Sequence, residues 1–140
     1  MTTAIDTNVI VALWDRDNAL SAAAESALDS ALKVGNLILA GPVFSELMAA
    51  PGRDEGFLDS FLRDTGMTVD WNLDEVTWRS AGRAFQAYAT ERRKQRDAGP
   101  RRILADFLIG AHALRRGFHL LTLDDRIYRK AFPGLVIARV

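Results

Sequence analysis

Four acidic residues lie directly after an apolar segment of the sequence or within the first turns of a predicted helix. Asp6 ends the apolar start of TTAIDTNVIV, Asp124 follows the apolar run FHLLTLD, Glu46 lies in GPVFSELMAA and Asp106 in RRILADFLIGAHAL. Buried carboxylates are unfavourable, and several of them together repel one another. A divalent cation would remove that repulsion, and Mg²⁺ and Mn²⁺ prefer oxygen ligands. The four acids therefore suggest metal-assisted attack on a phosphodiester.

The amino-acid composition excludes several kinds of site and of protein. The sequence contains no cysteine, which excludes disulfides, thiolate metal sites and a thiol nucleophile. Its 140 residues, almost half of them apolar, are typical of one compact domain over residues 1–140. It has neither a signal-like start nor a run of about 18 uncharged apolar residues. We therefore expect a cytoplasmic protein with no membrane segment.

The elements that must position the acids follow from the alternation of short apolar runs with longer helical patterns. Strands are predicted at residues 3–6, 36–40, 67–71, 118–122 and 135–138. Helices are predicted at residues 7–14, 19–34, 41–50, 55–64, 74–96, 103–116 and 124–131. This alternation predicts right-handed crossovers and a three-layer α/β/α domain, with a mostly parallel central sheet of about five short strands.

In such a sheet, ligands bind beyond the carboxyl ends of the strands. Asp6 and Asp124 directly follow predicted strands, and Glu46 comes about one helical turn after the strand at 36–40. Asp106 lies near the start of its helix, on one face with small and apolar residues three, four and seven positions further on. That face should pack against the sheet and carry Asp106 inward. We therefore expect the four acids to converge.

Each acid also has a purely structural interpretation. Asp6 can cap the first helix, and Asp124 can cap the short helix that follows it. Asp106 can favour the positive end of a helix dipole, and Glu46 can be a helical acid with an ordinary partner. These interpretations do not exclude a site, and a coincidence of all four is harder to explain than any one of them.

Four stretches of the sequence resemble the PIN-domain ribonucleases and, within them, the VapC-type toxins of toxin–antitoxin pairs. The stretches are IDTNVIVAL, SELM, ADFLIGAHAL and LLTLDDRIYRKAFPGL, which span residues 5 to 135 in that order. The resemblance implies an endoribonuclease that uses Mg²⁺ or Mn²⁺ to hydrolyse RNA phosphodiester bonds. It also implies a homodimer and a cognate antitoxin that inhibits the enzyme.

The resemblance assigns roles to individual residues. The four acids match the catalytic, metal-binding acids of the family: Asp6, Glu46, Asp106 and Asp124. Small polar neighbours that orient ligands or water are matched by Thr7, Asn8 and Thr122. Asp125 stands beside the fourth acid and is expected to assist it.

A net charge of zero hides a segregation of charge along the chain. Residues 1–78 hold four basic and thirteen acidic residues, whereas residues 79–116 hold ten basic and three acidic ones. The basic run TERRKQRDAGPRR precedes Asp106, and we expect Arg96, Arg101 and Arg102 in it to contact RNA phosphates. The alternative is a solvated helix end.

Two other classes of function stay open from the sequence. A receiver-like phosphoacceptor domain also gathers acids at strand ends, but it needs paired acids near its first strand and an aspartate after a middle strand. Here the first strand ends with one acid and NLILA ends without one. A catalytically silent PIN module that only binds RNA or a partner would differ from the enzyme in failing to cleave RNA.

Overall fold

A computed structural model describes residues 1–95 and 102–140, except for the side chain of Arg139. The strands are β1 (Thr2–Ile5), β2 (Asn36–Ala40), β3 (Thr68–Asp70), β4 (His119–Thr122) and β5 (Ile137–Arg139). The helices of this part of the chain are α1 (Thr7–Trp14), α2 (Ser21–Val34), α3 (Gly41–Leu47), α4 (Glu55–Thr65), α5 (Glu75–Gln95), α6 (Leu104–Arg116) and α7 (Arg126–Ala131).

The five strands form one sheet in the order β3-β2-β1-β4-β5, and every pairing is parallel. The predicted three-layer α/β/α fold is confirmed, and the sheet is wholly rather than mostly parallel across the described residues. The chain winds outward from β1 through β2 to β3, then returns to place β4 on the other side of β1. The direction of winding therefore reverses between β1 and β4, which is where sheets of this kind bind ligands.

The centre of the sheet is apolar on both of its faces. Ile5 in β1, Leu39 in β2 and Leu120 in β4 are fully buried, because helices cover both sides of a parallel sheet. Helix α6 is itself a core element, since every residue from Phe107 to Ala113 is buried. The helix that carries Asp106 in its first turn is therefore anchored in the interior of the domain.

Element boundaries depart from the sequence prediction by a few residues, for identifiable reasons. The helix predicted to reach residue 50 ends at Leu47, because Pro51 has no N–H and disfavours helical backbone just before it. The helix predicted from residue 124 begins at Arg126, and the last strand is shifted to Ile137–Arg139. Helices α4 and α6 end at Gly66 and Gly117, whose positive φ angles allow left-handed C-caps.

The longest helix in the described part of the chain is α5, with 21 residues. Neither α5 nor any other helix among the described residues combines the length and apolar character needed to cross a bilayer.

Candidate active site

The reversal between β1 and β4 opens into a cleft of about 280 Å³ that all four predicted acids line. They come from four separate parts of the chain: the end of β1, helix α3, the first turn of α6 and the segment after β4. The full lining is Asp6, Thr7, Asn8, Val11, Glu46, Arg102, Asp106, Asp124 and Tyr128. The structure therefore brings together the acids that the sequence pattern predicted to converge.

Asp6 is the most buried of these acids, with 5% of its surface exposed. Its Oδ1 accepts a hydrogen bond from the backbone N–H of Thr7 at 2.8 Å. Its Oδ2 accepts from the Thr122 hydroxyl at 2.8 Å and from the Tyr128 hydroxyl at 2.9 Å. Burial raises the pKa of Asp6 to about 6, although these hydrogen bonds oppose the rise, and the charge of Asp106 adds to it. Asp6 thus caps α1 and also faces the cleft.

The predicted small polar residues orient the acids and the turn after β4. The Thr7 hydroxyl donates to Oε1 of Glu46 at 2.6 Å. The Asn8 amide donates to the Thr122 hydroxyl at 3.4 Å, and its Oδ1 accepts from the backbone N–H of Leu123 at 3.1 Å. These contacts tie α1 to α3 on one side and to the end of β4 on the other.

Asp106 occupies the first turn of α6, where its Oδ2 accepts from the backbone N–H of Ile103 at 3.3 Å. Burial raises the pKa of Asp106, and the neighbouring charge of Asp124 also raises it, whereas Arg102 lowers it. Its place in the first turn fits the structural interpretation that it favours the positive end of the helix dipole. The same side chain still lines the cleft.

Asp124 is paired with two arginines. Oδ1 accepts from the backbone N–H of Arg126 at 3.2 Å and from its Nε at 3.0 Å. Oδ2 accepts from Nη2 of Arg126 and from Nη2 of Arg102, both at 3.0 Å. The hydrogen bonds from Arg126, with Arg102 in support, hold the pKa of Asp124 far below its usual value despite partial burial. This carboxylate is ionised at any ordinary pH.

The remaining predicted site residues are one acid and three arginines, and only one of them is seen to line the cleft. Asp125 is buried and pairs with Arg129 at the start of α7, outside the lining of the cleft. This position does not favour its predicted assisting role. Arg102 reaches the cleft, where it contacts an acid rather than forming an open basic rim. Arg96 and Arg101 lie outside the described residues.

Sequence reasoning missed Tyr128, which is 1% exposed and donates to the most buried acid. Its ring reaches the cleft because α7 packs closely on α6 at Gly110. A Cβ at Gly110 would lie 2.4 Å from Cε2 of Phe132 and 3.1 Å from Cδ1 of Tyr128. A glycine inside a helical pattern is a signal of such close packing, and it could have pointed to α7.

The donor set of the cleft fits a hard divalent cation. Four carboxylates line it, and carboxylate oxygens are ligands that Mg²⁺ and Mn²⁺ favour. No group of three or more acidic or histidine side chains in residues 1–95 and 102–140 is already arranged to hold an ion. Mg²⁺ commonly uses only one or two carboxylates and keeps several waters, so a closed cage is not required.

Comparison with solved structures places the whole chain in a known fold. VapBC2 from Rickettsia felis, solved bound to a DNA fragment from its promoter, is 19% identical with a TM-score of 0.68, over 99% of this chain and 98% of that one. VapBC-1 from nontypeable Haemophilus influenzae is 18% identical with a TM-score of 0.67, over 99% and 98%. VapC20 from Mycobacterium tuberculosis, described as a sarcin-ricin loop cleaving toxin, is 16% identical with a TM-score of 0.64, over 99% of both chains.

A search among curated proteins finds no match to the sequence. The comparison with protein families, in contrast, agrees with the fold. The family described as the PIN domain matches residues 3–133, a range that contains all four acids. Because this match covers nearly the whole chain, the protein belongs to the PIN-domain family.

Proposed function

We propose that this protein is a metal-dependent endoribonuclease, the toxin component of a VapBC-type toxin–antitoxin pair. The observation that carries the proposal is the convergence of four carboxylates, from four parts of a PIN domain, on one cleft at the reversal of the sheet. Such a cleft suits a phosphodiester, whose charge must be neutralised before water can attack it.

Asp6, Glu46, Asp106 and Asp124 would hold the Mg²⁺ or Mn²⁺ ion. When bound, the ion polarises the scissile phosphate and lowers the pKa of a water molecule. The chain's own contribution is to fix the acids. Thr7 holds Glu46, while Thr122 and Tyr128 hold Asp6 by donating hydrogen bonds to it.

Tyr128 is not a candidate nucleophile. Burial raises the pKa of its hydroxyl, and the nearby charge of Asp6 raises it further. The hydroxyl therefore keeps its proton and acts as a hydrogen-bond donor. Attack by water fits the cleft better than attack by a side chain.

The substrate and the partners are proposed from similar proteins. VapC20 is described as cleaving the sarcin-ricin loop, and several similar structures are toxin–antitoxin complexes. By analogy with these proteins we propose RNA as the substrate and a cognate antitoxin as the inhibitor. From the family resemblance of the sequence we propose a homodimer as the assembly, and from its composition the cytoplasm as the location.

The topology disfavours the receiver-like alternative. Receiver domains share the flavodoxin-like strand order 2-1-3-4-5, whereas the order here is 3-2-1-4-5. A catalytically silent PIN module would be favoured by the absence of one of the acids, but all four line the cleft. A cleavage assay separates it from the enzyme.

The test is to incubate the purified protein with total cellular RNA in Mg²⁺, in Mn²⁺ or in EDTA, and to sequence the new ends. We expect cleavage at a restricted set of positions with either metal and none in EDTA. Asp106→Asn should abolish cleavage, because it removes a charged ligand with little change in volume. Asp59→Asn removes an exposed acid of α4 and should cleave like the wild type. Cleavage that persists in EDTA, or in Asp106→Asn at matched purity, would refute the proposal.

A further inference from the structure

Arg102 occupies an unusual place among the cleft residues, because it is a cation among acids. Its Nη2 lies 3.0 Å from Oδ2 of Asp124, and both side chains are only 29% exposed. Its charge also lowers the pKa of Asp106, another acid of the cleft, against the effect of burial. The guanidinium thus supplies positive charge at the place where a divalent cation would supply it.

All four acceptor positions of Asp124 are already used. A carboxylate offers about four lone-pair sites, and the structure fills them with three donors from Arg126 and one from Arg102. A cation can therefore take an oxygen of Asp124 only if an arginine gives way.

The two arginines differ in where they stand. Arg102 lines the cleft, whereas Arg126 is absent from the lining and has 81% of its side chain exposed. Arg126 approaches Asp124 from two residues further along the chain, on the solvent side. A cation entering the cleft would repel Arg102 first, because like charges at short range in a partly buried site interact strongly.

We propose that Arg102 is an internal counter-cation that a divalent metal ion must displace from Asp124, after which its guanidinium binds the phosphate of the substrate. This inference rests on the proposed function. The main chain of Arg102 stays in place, because its N–H donates to the Tyr88 hydroxyl at 2.7 Å. A displaced side chain therefore remains at the rim of the cleft, and its planar set of donors suits a phosphate.

The first test measures metal affinity rather than catalysis. Mn²⁺ is titrated into the purified protein and the free ion is followed by electron paramagnetic resonance. Arg102→Gln should lower the Kd for Mn²⁺ by about fivefold, as expected for removal of a partly buried ion pair that competes with the metal. Arg126→Gln is the control, since it removes the same charge from the same acid outside the cleft. Arg126 makes more hydrogen bonds to Asp124 than Arg102 does, but its side chain is 81% exposed, so solvent screens its charge and replaces its contacts. It should change the Kd by less than about half as much.

The second test follows the substrate. At saturating Mn²⁺, Arg102→Gln should cleave RNA more slowly than the wild type, even though it binds the metal more tightly. A crystal structure with Mn²⁺ bound should show Arg102 released from Asp124. A structure in which the cation binds while Arg102 remains at 3.0 Å would overturn the inference.

The outcomes separate this inference from the proposed function. If the wild type binds Mn²⁺, Asp106→Asn does not, and Arg102→Gln leaves the Kd unchanged, only the role of Arg102 is refuted. An equal gain in affinity from both arginine variants would also refute it, because general loss of positive charge would then be sufficient. If the wild type binds no Mn²⁺, the proposed function fails and this inference fails with it.

Discussion

At the scale of the residue, the acids of the cleft reduce the stability of the folded chain, and Asp6 shows this most directly. Its pKa is raised from 3.8 to about 6, chiefly by burial. A carboxyl group whose pKa is raised by folding stabilises the protein only when protonated. That contribution is fully present below about pH 4 and is lost as the pH rises through about 6. Ionised Asp6 therefore lowers the stability of the folded chain at neutral pH.

Replacing Asp6 by Asn should accordingly stabilise the protein in EDTA at pH 8. A shift of about 2 pKa units corresponds to at most about 3 kcal/mol. Asn has one acceptor oxygen in place of two, so at least one of the three hydrogen bonds to Asp6 is lost, which offsets about 1–2 kcal/mol of the gain. We expect a net gain in the free energy of unfolding of about 1 kcal/mol. The gain should vanish below about pH 4, and chemical denaturation at several pH values measures it.

A metal titration complements this measurement. Mg²⁺ should raise the melting temperature of the wild type, because a ligand of the folded state stabilises it by mass action, and it should raise that of Asp6→Asn much less. Equal increases, or a mutant that melts well below the wild type in EDTA, would make Asp6 only a helix cap. Asp59→Asn should behave as the wild type in both conditions.

Tyr128 provides the second prediction at this scale. Tyr128→Phe removes a donor that stabilises the charged form of Asp6, so the pKa of Asp6 should rise above about 6. Thr122→Val, which removes the other hydroxyl donor, should move it in the same direction. The carboxyl carbon resonance of Asp6, followed by NMR across the pH range, reports the change. A pKa that is unchanged in both variants would mean that neither hydroxyl positions this acid.

The residue scale also shows the limits of sequence reasoning. The four acids could be predicted because each lies directly after a strand or within the first two turns of a helix, and the carboxyl ends of parallel strands share one edge of the sheet. The partners of Asp124 could not be predicted, because the reach of an arginine side chain depends on tertiary packing. Tyr128 was missed for the same reason, since only the contact of α7 with α6 brings its hydroxyl to Asp6.

At the scale of the element, the packing of α6 against α7 links the core to the cleft. Helix α6 is buried over most of its length and carries Asp106 at its start. Gly110, one turn later, lets the aromatic rings of α7 approach. The succession of strands and helices along the chain could be predicted from periodicity. Gly110 in the helical pattern indicates that something packs closely there, but the identity of the element that does so depends on tertiary packing.

Gly110→Ala should therefore destabilise the protein, even though alanine favours helices. The new methyl group would lie 2.4 Å from the ring of the buried Phe132, and overpacking of this kind costs about 1–3 kcal/mol. Gly82→Ala in α5 is the matched control, because no atom lies within 4 Å of its added Cβ. That variant should gain about 0.5–1 kcal/mol.

Thermal or chemical unfolding of the two alanine variants measures the contrast. Opposite signs would identify the α6–α7 contact as the cause, since the change in helix propensity is the same in both. A stabilised Gly110→Ala would mean that α7 can move away from α6 at little cost.

At the scale of the whole molecule, the topology and the charge distribution act together. The reversal between β1 and β4 gathers acids at one edge of the sheet, and the basic part of the sequence leads into the same edge through Arg102. The strand order itself could not be read from the sequence, because alternating strands and helices are compatible with several orders. The sequence therefore predicted a mostly parallel sheet of about five strands, but not their order in it.

The basic end of α5 provides the final prediction. Arg93 and Lys94 are exposed in the last turn of this helix, upstream of the cleft. If they contact RNA phosphates, Arg93→Gln/Lys94→Gln should weaken the binding of a short labelled RNA, measured by fluorescence anisotropy in EDTA to prevent cleavage. The logarithm of affinity against the logarithm of salt should become less steep by about 1.4, which corresponds to two lost contacts on single-stranded RNA.

The matched control is Arg79→Gln/Arg83→Gln, which removes the same two charges from exposed positions nearer the other end of α5. It should leave both affinity and salt slope near the wild-type values, because a local phosphate contact depends on position, whereas the general field of the molecule depends only on total charge. Equal losses of RNA affinity in the two double variants would mean that the basic run acts only through the overall charge of the protein and makes no local phosphate contacts. An unchanged slope in Arg93→Gln/Lys94→Gln would make the end of α5 a solvated surface, and RNA would then have to reach Asp106 by another path.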